Sequence, residues 1–510
     1  MYNLVYNYPT IQRPKSITVS YTHLNPTTDL ISVKLKYPDV RMILHYASEP
    51  NTRRKIQESY NSRCVTANMN ALIELVKYKH AFAKLAGYKN HAEHALVGTM
   101  AQVPSRAVKY LDDVYNLIKA KSLQQIQQLQ IFAYAETGSH EIYDHDIMYY
   151  VGKLLNESVD QPLRTLFPID DVTTQMLDIY AEMLSLEFKR VEVEAWHPDV
   201  MCYEVYDCSN GGRGRSDITT YMGRVFLDLY ARDGKFGHNA EFTLQTRYRK
   251  KEAPVIHAIV CIVANFEKLD TSKFTDTSTS TLTFAELTTY FHEFGHAIHE
   301  ICAHSDWYSV NAIQNIQMDF VEAVSQLFEN WCHEPRILRK LTNNKIRDEH
   351  LDAIRRHRSL TLAYSLVPRI YMAQFDLELH SLDDAAVSKL NANTVNGLWD
   401  KWATLNLLSK PDYPNMVTSF HHVASNNYSA RYYGYVWSKA ISDHMYNVVF
   451  KQNAYAGLKY RREVLSRGSS KNGYQLCCDF TNIDINLKHM LNNVGISTAT
   501  DYLMTHDDTR

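Results

Sequence analysis

Between Thr289 and His304 the chain reads TYFHEFGHAIHEICAH, with His292 and His296 four residues apart and Glu293 beside the first. Upstream, Thr283-Phe-Ala-Glu286 has capping-box spacing, so a helix is expected to start there and run through the segment. Four residues advance a helix by roughly 400°, which stacks the two imidazoles on one face. Both can then reach a single tetrahedral cation. Glu293 lies about 100° round the helix, too far to ligate beside them but close enough to take a proton from water at the metal. Two ligands and one general base would thus come from a single helical turn. In a chain with 23 histidines the pattern also arises by chance, so a third ligand has to decide.

Three positions compete for that role. Ten residues after His292, where one class of zinc peptidase places a histidine, this chain has Cys302 without a preceding glycine. His299 shares the helix face, but a third ligand on that straight helix would splay away from the metal. Glu322, in MDFVEAVSQLFENW, follows His292 by 30 positions (322 − 292) and sits in apolar spacing of helical period. Two antiparallel helices would then bring His292, His296 and Glu322 to one cation and leave a fourth position open, as catalytic zinc requires. His299 and His304 read as outer or surface residues, and Asp319, one turn before Glu322, as a candidate to orient an imidazole or as a surface carboxylate. Cys302 reads as a buried inert thiol.

The rest of the chain reads as one mostly helical body carrying a small sheet. The run from Arg54 to Tyr88 has three-to-four apolar spacing and a stop at Gly87; Ser105 to Glu136 follows Pro104 as a long amphipathic helix. VTTQMLDIYAEMLSLEF is a further helix, and Ala353 to His380 is expected to bend or end near Pro368. Strand signals cluster at Met201 to Asp207, Gly223 to Arg232 and Pro254 to Phe266, just upstream of the histidine helix. Ser209 to Asp217 is a glycine loop without the ending of a phosphate-binding loop, and Asp270 to Thr283 is a Ser/Thr-rich loop.

Composition removes other classes. A formal charge of −2 offers no attraction to nucleic acid or acidic membranes, and no apolar run approaches the ~20 residues that span a bilayer. The first residues lack the pattern of a signal peptide, and eight cysteines without paired spacing, Cys477 and Cys478 apart, fit free thiols in a reducing compartment. A cytoplasmic protein is expected.

FHEFGHAIH and DFVEAVSQLFENW, at this separation, resemble the two metal-binding segments of the thimet oligopeptidase and neurolysin family of zinc metallopeptidases. The blocks VKLKYPDVRMILHYASEPNTRRKIQESY, KHAFAKLAGYKNHAEHAL, GRVFLDLYARDGKFGHNAEF, NYSARYYGYVWSKAISDHMY and YRREVLSRGSS are similar to that family's in the same order. The resemblance runs from about residue 31 to about 480. It implies a mainly α, two-lobed helical ellipsoid with a deep central channel, a small sheet beside the zinc-binding helix, and one zinc ion. It implies cleavage of internal bonds in short unstructured oligopeptides by a monomer, with the zinc site in residues 284–330 and a substrate-contact segment in 420–438. By position, His292, His296 and Glu322 correspond to the ligands, Glu293 to the base, His422 to a substrate-binding histidine, and Tyr428 and Tyr435 to tyrosines at the scissile carbonyl. A phenol suits that last task, since it donates a hydrogen bond to developing charge without carrying one itself. The alternatives are a dipeptidyl carboxypeptidase on the same fold and a peptide-binding relative that has lost turnover.

The chain departs from the family at four places. Ala424-Ser-Asn-Asn427 stands where relatives have glycines in a loop expected to flex, and one extra residue separates His422 from Tyr428. Val324 and Met318 replace a usual proline and arginine. Residues 1–30 read as an extension ahead of a catalytic region at 31–510; relatives carry a long helical region there, so a more open channel is expected.

Overall fold

The computed structural model describes residues 17–20, 30–33, 35, 37–156, 163–210, 219–268, 280–453, 455–497 and 504. The chain forms two compact units from interleaved segments: Met1–Glu157, His357–Val436 and Val494–Ile496 in the first; Ser158–Arg356, Trp437–Asn493 and Ser497–Arg510 in the second. The architecture is mainly helical, as expected, at 60% helix with a small sheet. No helix among the described residues is long and apolar enough to cross a membrane.

The first unit opens with a two-stranded ladder, β1 (Ile17–Ser20) on β2 (Leu30–Val33), which pairs residues on both sides of the expected boundary at 30/31. Helices α1 (Tyr37–Tyr46), α2 (Pro50–Asn61), α3 (Val65–Leu85), α4 (His91–Ala95), α5 (Pro104–Thr137) and α6 (Asp144–Asn156) follow. The periodic run from Arg54 is thus two helices, because Cys64 at φ 56° takes the left-handed conformation and restarts the chain at Val65. Gly87, at φ 89°, lies just past the end of α3, as expected of the stop residue.

The second unit holds α7 (Ile169–Leu184), whose left-handed C-cap Ser185 turns the chain directly into β3 (Leu186–Val191). The final residues of VTTQMLDIYAEMLSLEF therefore form a strand, a correction to the helical reading. The sheet continues with β4 (Met201–Asp207), β5 (Thr220–Tyr230), β6 (Ala240–Gln245) and β7 (Ala258–Phe266), in the order β3-β4-β5-β7-β6. Only the β5–β7 pairing is parallel. Strand β7 buries residues on both faces, which explains its nearly continuous apolar sequence. Most of the loop at 209–217 and of that at 270–283 lies outside the described residues.

Helix α8 (Phe284–Cys302) begins at Thr283 with both halves of the expected capping box in place. Its buried face packs Phe294 against Tyr180 of α7, ring centroids 4.7 Å apart. Phe328 of α9 (Val321–Glu329) meets the same tyrosine at 4.7 Å. Burial of each phenylalanine is worth roughly 1.5–3 kcal/mol, so this aromatic knot holds the two helices in register. Later come α10 (Asp348–His380), α11 (Ala392–Ala403) and α12 (Gly434–Met445). Helix α10 runs through Pro368 rather than ending there. Burial of Tyr364, Val367, Ile370 and Tyr371 on both sides offsets the one hydrogen bond that proline removes.

Candidate metal centre

Helices α8 and α9 approach closely because position 295 is glycine. A Cβ there would stand 2.9 Å from the Ser325 Cα and 2.9 Å from the Phe328 ring. With the helices that near, Glu322 in the first turn of α9 reaches the histidine face of α8. Its Oε2 lies 3.2 Å from His292 Nε2 and 3.2 Å from His296 Nε2. Donor atoms of the three residues all fall within 4.8 Å of one another, the one such cluster among the described residues. Glu322 is buried and the two imidazoles are partly exposed, so the carboxylate forms the floor and the rings the rim.

Electrostatics bind the three together. Burial alone would push His292 down, but hydrogen bonds to Glu322 and Glu329 raise it well above the usual histidine range. Burial would raise Glu322, yet His296 and His292 hold it well below the usual carboxylate range. A buried carboxylate facing two imidazole nitrogens demands positive charge between them. A tetrahedral cation with bonds of about 2.0–2.1 Å separates its ligands by about 3.3 Å, close to the spacings found. The donor set therefore fits a small divalent cation with a further coordination position.

Glu293, one residue from His292, points elsewhere, as the helical phase requires. Its Oε2 accepts a hydrogen bond of 3.0 Å from the backbone N–H of Glu241, on edge strand β6. That contact aims the carboxylate and ties it to the sheet. Sequence reasoning did not identify β6, whose two large apolar side chains, Phe242 and Leu244, face outward and whose pairing depends on distant β7.

Glu329 is a second residue that the sequence reading missed. Its Oε1 lies 2.7 Å from His292 Nδ1, which fixes the ring with Nε2 toward Glu322. It follows Glu322 by seven residues on the same helix, so the i,i+7 spacing carried the signal. Asp319, the carboxylate considered for that task, is fully buried rather than at the surface, and its carbonyl accepts from the Ser438 hydroxyl at 2.8 Å. His299 is also buried, not at the surface, and burial holds it down at about 3, so it is neutral. His304 is exposed. Burial pushes the Cys302 thiol up to about 11, in keeping with an inert side chain; none of the eight cysteines forms a disulfide.

In the first unit, His422, Tyr428 and Tyr435 form an aromatic cluster of their own. Tyr428 and Tyr435 stack at 5.8 Å with an interplanar angle of 7°, and His422 Nε2 lies 3.3 Å from the Tyr435 hydroxyl. The His422 ring stands edge-on to Tyr428 at 5.2 Å. The extra residue between His422 and Tyr428 does not prevent this packing.

The chain is similar to known peptidases along most of its length. Saccharolysin of Saccharomyces cerevisiae is 27% identical over 484 residues, covering 89% of this chain and 65% of that protein. Oligopeptidase A of Salmonella typhimurium is 26% identical over 482 residues, covering 91% and 68%. The chain thus spans about two thirds of the length of these relatives. The solved structure of PZ peptidase A superposes with a TM-score of 0.55 at 12% identity, over 92% of this chain and 71% of its own, a likeness of fold. The model of peptidase family M3 matches residues 43–496. With most of its length matched and a His-Glu-x-x-His helix facing a glutamate, the chain belongs to peptidase family M3.

Proposed function

We propose that the protein is a zinc-dependent peptidase that hydrolyses internal bonds of short, unstructured oligopeptides. The observation that carries this reading is the convergence of two Nε2 atoms on one buried carboxylate oxygen, 3.2 Å from each, with Glu293 on the same helical turn. His292, His296 and Glu322 hold the metal. Zinc in such a donor set supplies Lewis acidity, polarising a carbonyl and making water acidic near neutral pH.

The chain's own groups do the rest. Glu293, aimed by the Glu241 N–H, takes the proton of the attacking water and returns it to the leaving amine. Glu329 keeps His292 in the tautomer that leaves Nε2 free for the metal. Tyr435 and Tyr428 donate hydrogen bonds to the oxyanion, and His422 binds substrate; their likeness in position to the oligopeptidases supports this, as does their packing into one cluster. Eight cysteines, none in a disulfide, support a reducing, cytoplasmic setting, and the enzyme is taken to act as a monomer. The catalytic region is assigned to residues 31–510.

The test is a series of quenched peptides of increasing length with free and amidated C-termini, run with and without a chelator. Chelator-sensitive cleavage of short peptides irrespective of the C-terminus is expected. Release of dipeptides only from free C-termini would replace this reading with a dipeptidyl carboxypeptidase. Binding without cleavage would mark a peptide-binding relative. In parallel, Glu293→Gln should retain zinc by metal analysis and lose about 10²–10⁴-fold in kcat.

A further inference from the structure

The segment between His422 and Tyr435 is gripped by two buried charges of opposite sign. Lys79, on α3 and 8% exposed, points its ammonium at the end of the short helical turn His421–Val423. There Nζ donates to the carbonyls of Val423, Ala424 and Ser425, each at 3.2 Å. These acceptors lie at and just past the end of the turn, and the Ser425 carbonyl also accepts from the Ser429 N–H at 3.1 Å. Asp376, on α10 and fully buried, holds the other side of the segment. Its two oxygens accept from the backbone N–H groups of Ala430 at 2.9 Å and Tyr432 at 3.1 Å.

Two histidines extend the grip. His380 Nδ1 lies 3.0 Å from Asp376 Oδ1, and His91 Nε2 lies 2.9 Å from the hydroxyl of buried Ser429. Ala430 sits at φ 62°, a conformation alanine adopts at an energetic cost and one that turns its N–H toward the carboxylate. Between the two anchors only Asn426 and Asn427 are exposed, with Tyr428 next to them. A lysine and an aspartate are seldom buried merely to close a surface loop, because each pays heavily in lost hydration.

From this geometry we infer that Lys79 and Asp376 are positioning residues for the reaction, holding the backbone on either side of Tyr428 so that its ring stays stacked on Tyr435. The inference rests on the proposed role of the tyrosines. It concerns backbone order, so it can be read without turnover.

The experiment compares Lys79→Met, Lys79→Gln, Asp376→Asn and Tyr435→Phe in the full chain loaded with zinc. Hydrogen exchange at the Ala430 and Tyr432 amides is followed alongside kcat and KM on one quenched peptide. In Lys79→Met and Asp376→Asn, exchange at those amides should rise at least about tenfold while helix α8 keeps its protection. Their kcat should fall about 10–100-fold, with KM changed less than about threefold. Lys79→Gln, which retains a donor, should recover part of the loss.

Unchanged exchange, or faster exchange with wild-type kcat, overturns the inference. If Asp376→Asn fails to fold, the pair of Lys79 variants decides by the same criteria. A Tyr435→Phe enzyme as fast as wild type would remove the tyrosine reading itself. Slow Tyr435→Phe beside wild-type Lys79 and Asp376 variants would remove only the positioning role.

Discussion

Gly295→Ala separates the helix-packing account of the metal centre from a purely local one. Judged by helix propensity alone, the change should stabilise α8 by up to about 1 kcal/mol. Its new methyl, however, would lie 2.9 Å from the Ser325 Cα and from the Phe328 ring, against an ordinary carbon–carbon contact of about 3.5–4.0 Å. One wall is backbone, so α9 must retreat by about 0.6 Å or more. Overpacking of this kind costs about 1–3 kcal/mol, for a net loss of about 0–2 kcal/mol and a Tm lower by at most a few degrees.

The metal site should suffer more than the fold. Ser325 is one turn from Glu322 and its hydroxyl donates to Glu322 Oε2 at 3.1 Å, so a shift at Ser325 carries the carboxylate with it. Ligand distances tolerate only about 0.2 Å, so zinc affinity should fall at least about tenfold, or ~1.4 kcal/mol. The assay is competition against a chelating indicator for zinc, with a thermal melt of the metal-free protein. Gly397→Ala is the control: it lies within α11 with nothing near its would-be Cβ, so it should gain stability and bind zinc normally. If Gly295→Ala matched the control in both measurements, the close approach at Ser325 could not be what sets the donor spacing.

Glu329→Gln should weaken zinc binding about 10–100-fold by loosening His292, and an unchanged dissociation constant would exclude an orienting role. Asp228, buried in the sheet, is pushed up by burial, but Arg232, Trp196 and Lys235 outweigh this and hold it at about 2. Because its folded pKa lies below the unfolded value of about 3.9, its stabilisation is fully present above roughly pH 4 and is lost as pH falls through about 2. The Tm gap between wild type and Asp228→Asn should therefore be wide at pH 6 and close progressively below pH 4; a gap unchanged at pH 2.5 would refute a charge-based origin.

Local chemistry made part of the site legible in one dimension. The capping box at Thr283 set the start of α8, and a helical turn of four residues then put His292 and His296 on one face, whatever surrounds them. Glu322 was reachable by the same phase argument applied to a second helix, and the i,i+7 relation would have led from it to Glu329. The central strand β7 announced itself because both its faces are buried and its residues are therefore apolar.

Contacts between distant segments left fainter traces. Edge strand β6 is a strand because β7 lies beside it, and the N–H that aims Glu293 belongs to its backbone, which any residue but proline supplies. Pro368 looked like a bend or a stop, and packing on both sides carries α10 through it. Lys79 and Asp376 lie 297 positions apart (376 − 79), each on a helix where a charged residue ordinarily faces water. Periodicity along a chain reports which way a side chain points relative to its neighbours in sequence. It carries no record of which backbone amide or carbonyl will arrive opposite. The stacked pair of histidines and the glutamate beside them were thus determined by sequence, whereas the partners that hold them, and the tyrosine segment, in place were decided only when the chain folded.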